Sequence, residues 1–257
     1  MLYNIRMKTI TDLQYSQKHQ EKLDVYLPDC NNFTTVVYFH GGGLQWGSKD
    51  KENFVEIAHS FSKKGYAFIS VDYRMYPNAK FPDYLVDGAD AVAFVKERIP
   101  TWGGNGKIIV SGQSAGAWMA LMLCLDKKYL DEVGVNAETV DGWLIDSAQT
   151  TAHFNVLQKE QGAHRFDQRI NEYAPLYFLD ENTSFSKMLL VFYEQDMPMR
   201  SEQNMLFYKT VLAFNNNADI EYVQLVGGHC HGSEHKDDDG EYPFVKTAFS
   251  WLNKKGL

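Results

Sequence analysis

Gly112-Gln113-Ser114-Ala115-Gly116 decides how the rest of the chain is to be read. Before it runs Lys107-Ile108-Ile109-Val110, apolar enough for a buried strand. After it runs Ala117-Trp118-Met119-Ala120-Leu121-Met122-Leu123, which reads as a helix. A serine on a strand-to-helix turn needs strained backbone and close packing, and small residues two positions either side permit both. Such a turn lifts the hydroxyl above the sheet and sets it at a helix N-terminus, where developing negative charge is favoured. A glycine-rich turn with an incidental serine has the same local pattern, so the chain on either side must decide.

Upstream, Leu23-Asp24-Val25-Tyr26-Leu27-Pro28 alternates and ends in proline, as an early antiparallel strand would. The next strand, 34–39, runs directly into His40-Gly41-Gly42-Gly43. Consecutive glycines let a loop fold tightly and present free backbone N–H groups, as an oxyanion hole requires. A helix is expected over 49–64, with Phe54, Ile57, Ala58 and Phe61 on one face. A buried strand follows over 66–73, then a two-proline connection to Pro82, then a helix over 83–99. Trp102-Gly103-Gly104-Asn105-Gly106 is turn chemistry before the serine's strand.

Downstream, 140–145 reads as a strand. The polar stretch 147–186 holds helix-like pieces at 156–161 and 166–173 but no strand. It is expected to form a small lid over the sheet's carboxyl edge, with Phe154, Tyr173, Tyr177 and Phe178 mostly packing it down. Strands at 188–193 and 220–226, a helix over 201–214 and a closing helix over 242–254 complete the chain. Strand and helix in alternation imply an α/β fold, a mostly parallel sheet covered on both faces.

A serine hydroxyl is a poor nucleophile until a base takes its proton, and that base is best a histidine oriented by a carboxylate. In this architecture the chain order is Ser, then Asp or Glu, then His. Ser114, Asp196 and His231 follow that order, each just beyond a strand expected to be parallel. Asp146, ending the strand after the serine's helix, is the alternative acid. Asp196 is preferred because its strand is the last before the histidine strand. His229 is the alternative base, and His231, followed by glycine, is preferred. Ser111 reads as a packing serine. The cluster His229-Cys230-His231 with His235 and Asp237-Asp238-Asp239 matches no tetrahedral zinc spacing, so no metal is expected.

The chain has 257 residues, 44% hydrophobic and 23% charged, which suits one α/β domain over 1–257 with a large core. A net charge of -8 argues against nucleic acid or an anionic membrane as the main partner. Three scattered cysteines, Cys30, Cys124 and Cys230, form no disulfide framework and fit a reducing compartment, the cytoplasm. The first residues lack an apolar core of signal-peptide length, and no run is long enough to span a membrane.

Together, His40-Gly41-Gly42-Gly43 and Gly112-Gln113-Ser114-Ala115-Gly116 resemble the α/β-hydrolase esterases of the hormone-sensitive-lipase-like group. The likeness extends to Val71-Asp72-Tyr73-Arg74-Met75-Tyr76-Pro77 and to His231-Gly232, while Lys22-Leu23-Asp24-Val25-Tyr26-Leu27-Pro28 is closer to the small bacterial carbohydrate and feruloyl esterase-like branch. The resemblance implies a central sheet of about eight strands. It implies Ser114 as nucleophile, Asp196 as acid and His231 as base, with the N–H groups of Gly42, Gly43 and Ala115 as oxyanion hole. It implies acyl transfer to Ser114 and hydrolysis of the acyl-enzyme, with no cofactor. The expected substrates are small-molecule esters of short acyl groups such as acetyl, since a lid of about 40 residues and a polar surface argue against long-chain lipids. An arylformamidase or peptidase on the same residues, and a non-catalytic ligand-binding member of the fold, are the alternatives. Three positions depart from the family's pattern. Gln113 stands where many relatives carry an acidic residue, Leu44 where many carry an aromatic, and Ser233 where phenylalanine commonly follows the His-Gly pair. These bear on pocket shape and acyl preference. Oligomeric state and natural substrate are left open.

Overall fold

A computed structural model describes residues 8–257; the leader reading of 1–7 lies outside the described residues. The strands are β1 (Lys8–Gln14), β2 (Lys22–Leu27), β3 (Phe33–Phe39), β4 (Ala67–Val71), β5 (Gly104–Gln113), β6 (Gly142–Asp146), β7 (Met188–Gln195) and β8 (Ile220–Gly228). The helices are α1 (Glu52–Lys63), α2 (Asp83–Trp102), α3 (Ala115–Leu125), α4 (Lys128–Glu132), α5 (Phe154–Gln161), α6 (Arg200–Phe214), α7 (His231–Glu234) and α8 (Pro243–Lys255). One eight-stranded sheet runs in the order β1-β2-β4-β3-β5-β6-β7-β8. β2 is antiparallel to both its neighbours, and every pairing from β4 through β8 is parallel. The carboxyl ends of six strands therefore meet at one edge, which is where ligands bind in such sheets.

The period-2 geometry of a strand sorts its side chains between two cores. In β3, Val37 and Phe39 join Val110, Ile145 and Leu190 under α2 and α3, while Val36 and Tyr38 join Phe68, Ile109 and Leu144 under α1 and α8. All seven β3 residues are buried, as expected of a strand covered on both faces. α1 presents the stripe Phe54, Ile57, Ala58 and Phe61 that its spacing implied. α3 has no such stripe because all 11 of its residues are buried. Trp118 on α3 also donates its indole N–H to the Tyr173 carbonyl at 3.0 Å, tying the segment between β6 and β7 to the serine's helix. Truncating it to alanine is expected to cost about 3–5 kcal/mol from packing alone.

Three elements were not anticipated. β1 is an edge strand of exposed and half-buried residues, so it lacks the apolar run that marks a buried strand. α4 and α7 are single turns of 5 and 4 residues, too short for periodicity. In the other direction, 166–173 is not a helix. Its polar groups bond to neighbours instead: Arg169 O accepts from Ala152 N, and Gln168 accepts from Thr151 and Gln203. No helix among the described residues is long and apolar enough to cross a membrane.

Candidate active site

Ser114 sits between β5 and α3 with φ 53° and ψ −110°, a conformation that side chains normally avoid. The glycines around it explain how the turn survives. A Cβ on Gly112 would lie 2.4 Å from the Gly116 backbone, and one on Gly116 would lie 2.1 Å from the Phe39 carbonyl oxygen. Ser114 N–H donates to Asp146 O at 2.7 Å, and its carbonyl accepts from Trp118 N–H at 2.9 Å. The hydroxyl is thereby fixed at the N-terminus of α3, with Ala115 N–H in the first turn, where no preceding turn supplies an acceptor.

The glycine loop after β3 lies against this elbow. A Cβ on Gly41 would stand 3.4 Å from Ser114 Cβ. Gly42 has φ 111° and its carbonyl accepts from Gln45 and Trp46 N–H, closing the loop on itself. His40 anchors the loop from below. It is fully buried, stacks on Tyr73 at 4.4 Å, and approaches the Gly41 carbonyl through Nδ1 at 2.7 Å. Burial pushes it down to about 4, so it stays neutral at physiological pH. Leu44, one of the family departures, points into the core rather than the pocket. Gly42 and Gly43 border the same pocket as Ser114, their N–H groups taken by no hydrogen bond among the described residues.

The histidine in contact with Ser114 is His229. Its Nε2 lies 2.7 Å from Ser114 Oγ, and its Nδ1 lies 2.5 Å from Asp196 Oδ1. This corrects the sequence-based preference for His231. β8 ends at Gly228, so His229 leaves directly from the sheet edge. Cys230 then turns the chain at φ 59°, and His231 opens α7. His231 is exposed, lies 4.7 Å from the His235 ring in a tilted arrangement, and packs over Gly227, where a Cβ would lie 2.5 Å from its ring.

Asp196 follows β7 and accepts from Met197 N–H at 2.6 Å as well as from His229. Burial alone would raise its carboxyl, but the His229 hydrogen bond and charge, Arg200 and the Ser147 hydroxyl outweigh it and hold Asp196 below the ordinary aspartate range. Asp146, the alternative acid, does not reach the imidazole. It accepts from Tyr193 Oη at 2.9 Å and Ser233 Oγ at 2.5 Å. Burial pushes it up to about 7. The remaining two family departures meet at this carboxyl. Gln113 Nε2 donates to Ser233 Oγ at 2.8 Å and to Glu234 Oε1 at 2.9 Å, and Glu234 pairs with Lys51 at 2.6 Å. An acidic residue at 113 would face two carboxylates there; glutamine supplies donors instead.

The pocket above Ser114 has a volume of about 390 Å³ and is bordered by Gly43, Trp46, Phe154, Asn155 and Arg165. Asn155 Nδ2 donates to Gly43 O at 2.6 Å, so the 147–186 segment touches the glycine loop. Arg165 lies 4.7 Å over the Phe154 ring. The Asp237 and Asp239 carboxylates pair with Lys246. Ser111 is buried without a hydrogen-bond partner, in keeping with a packing serine.

Comparison with known proteins agrees with this architecture. Thermogutta terrifontis esterase 2 superposes with a TM-score of 0.77 at 19% identity, over 100% of this chain and 96% of that one. Esterase B from Lactobacillus Rhamnosis gives 0.76 at 15% identity, over 97% and 85%. At those identities the likeness establishes the α/β-hydrolase fold. In sequence, the chain is 31% identical over 118 residues to kynurenine formamidase of Danio rerio, covering 45% of this chain and 39% of that protein. It is 37% identical over 95 residues to carboxylesterase NlhH of Mycobacterium tuberculosis, covering 36% and 30%. The probable isoprenylcysteine alpha-carbonyl methylesterase ICME of Oryza sativa subsp. japonica is 28% identical over 127 residues, covering 49% and 30%. The chain thus spans about a third of the length of these curated relatives. Residues 23–159, just over half of the chain, match the BD-FAE family. With the elbow, the glycine loop and the parallel strands β3 to β6 inside that match, this chain belongs to the BD-FAE family of the α/β-hydrolase fold.

Proposed function

We propose that this protein is a serine hydrolase that cleaves carboxylic esters of short acyl groups. The observation that carries the reading is the hydrogen-bonded relay from Ser114 Oγ through His229 to Asp196, beside a pocket of about 390 Å³. Ser114 Oγ attacks the ester carbonyl carbon as His229 Nε2 takes its proton. Negative charge collects on the carbonyl oxygen, which the N–H groups of Gly42, Gly43 and Ala115 receive. His229 then returns the proton to the departing alcohol, leaving an acyl group on Ser114. Water, deprotonated by the same histidine, releases the acid. Asp196 keeps the Nδ1 proton in place and stabilises the imidazolium formed in both halves. Every step is a proton transfer or acyl transfer, so this chemistry needs no cofactor.

The 147–186 segment acts as a small lid on the single domain 1–257, supported by Phe154, Asn155 and Arg165 at the pocket wall. A pocket of about 390 Å³ under so small a lid suits small-molecule esters of short acyl groups. Free Cys30, Cys124 and Cys230 support a reducing compartment, the cytoplasm. A second reading, hydrolysis of an aryl formamide, is favoured by the likeness to the kynurenine formamidase.

The test is hydrolysis of p-nitrophenyl esters from acetyl to longer chains, with N-formylaniline alongside and Ser114→Ala as control. Turnover that peaks at short acyl chains and vanishes in the variant supports the esterase. Turnover of the formamide alone moves the assignment to the second reading. No turnover of either overturns both.

A further inference from the structure

Ser147, the first residue after β6, has φ 60° and is wholly buried. Backbone economy alone would place glycine there. Its backbone is held from two sides: N–H donates to Val191 O at 2.7 Å, and its carbonyl accepts from the buried Arg200 guanidinium at 2.8 Å. Asn204 on α6 fixes the next carbonyl, that of Ala148, at 2.8 Å. This strained and clamped backbone aims one hydroxyl at the acid and the base together. Ser147 Oγ bonds Asp196 Oδ2 and lies 2.9 Å from His229 Nδ1.

An ionised carboxylate only accepts, so the hydroxyl proton must go to Asp196 Oδ2. The oxygen lone pair is then left facing the His229 Nδ1 proton, which Asp196 Oδ1 and Ser147 Oγ share. We propose that Ser147 is a positioning residue, a fourth member of the relay that locks the Asp196 carboxylate and the His229 ring in one register. The proposal rests on the Ser114–His229–Asp196 reading. Strained residues persist where the surroundings over-determine them, commonly at functional sites; here the hydroxyl supplies a reason that glycine could not. Besides Asp196 and His229, the charged and titratable groups around the pair are Arg200 on α6, Cys230 after β8, Asp146 on β6 and His153.

The experiment uses Ser147→Gly and Ser147→Ala. Glycine relieves the positive φ and removes the hydroxyl; alanine removes the hydroxyl and keeps the strain. The readouts are the rate of Ser114 labelling by a fluorophosphonate, kcat and KM on a short-chain ester, the pH profile, and Tm. Both variants should lose roughly 10–100-fold in labelling rate and kcat, the worth of one hydrogen bond to a charged group, with KM little changed. The acidic limb of the kcat/KM profile should move, because the hydroxyl both donates to the carboxylate and accepts the Nδ1 proton of the imidazole. Ser147→Gly should lie above Ser147→Ala in Tm, because glycine alone relieves the positive φ. A glycine variant with wild-type labelling, kcat and pH profile reduces Ser147 to a backbone role and overturns the proposal, leaving the relay intact. A wild type that is itself not labelled overturns both.

Discussion

Asp146 ends β6 and Asp196 follows β7, the strand beside it, so both carboxyls stand at the same edge of the sheet. Their surroundings drive them apart. The Asp146 carboxyl is wholly buried, receives the hydroxyls of Tyr193 and Ser233, and is pushed up to about 7. Asp196 faces an imidazole, a guanidinium, a backbone N–H and a hydroxyl, and is held below the usual range although burial opposes it. A place at the strand edge therefore does not make an acid a partner for a base. The donors that other parts of the chain bring to it do. Asp146 receives Ser233 from α7, whereas Asp196 receives His229 from the end of β8 and Ser147 from beyond β6.

The contrast can be broken most forcefully at the base. His229→Ala should lower kcat by about 10⁶-fold, as removal of a triad histidine does elsewhere. The same change at His231 serves as the reference. Asp196→Asn should cost about 10⁴-fold, with binding largely kept, because the amide stabilises the wrong imidazole tautomer. Near-normal turnover there, with a large loss in Asp146→Asn, would reverse the two carboxyls' roles.

Asp146→Asn should instead leave turnover within roughly tenfold and change how stability depends on pH. Aspartate in the unfolded chain titrates near 4, while native Asp146 titrates at about 7. Between those values the folded protein holds a proton that the unfolded chain has released. Asp146 therefore makes stability fall as pH rises from about 4 to about 7, and contributes no further slope above. Asp196 runs the other way: its lowered value adds stability that is lost as pH falls through its native titration. Denaturation midpoints of wild type and Asp146→Asn at pH 5 and pH 8 should differ by less in the variant's disfavour at the higher pH. Parallel shifts at both would mean that Asp146 does not hold a proton in the native state. The smallest effect is expected from His231→Ala, within about twofold in kcat/KM, since its exposed ring packs against His235 and over Gly227, away from Ser114. A loss approaching that of His229→Ala would contradict the geometry of the relay.

Most of the sheet was legible because its strands carry continuous apolar runs, as in Met188-Leu189-Leu190-Val191-Phe192-Tyr193. β1 was not, because an edge strand half open to solvent keeps its polar residues. The elbow and the glycine loop were legible for a different reason. They need glycine where another backbone passes within about 2–3 Å, and that demand is written directly into residue type. Ser147 gave no such signal, since a serine opening a polar stretch looks like any loop residue until its φ and its partners are known.

By itself, then, the sequence determined the α/β architecture, the serine on its elbow, the loop of N–H groups beside it and the chain order of serine, aspartate and histidine. These follow from periodicity and from glycine's missing side chain, both local properties. Tertiary structure alone decided between His229 and His231, and brought Ser147 to the relay. His229 and His231 are two residues apart in the same turn, and local pattern treats them alike. What separates them is the turn at Cys230, held where Gly232 packs under the Tyr193 hydroxyl and Ser233 bonds to Asp146. Those partners lie about 40 and 90 residues away in the chain, and only the closed sheet brings them to the histidine.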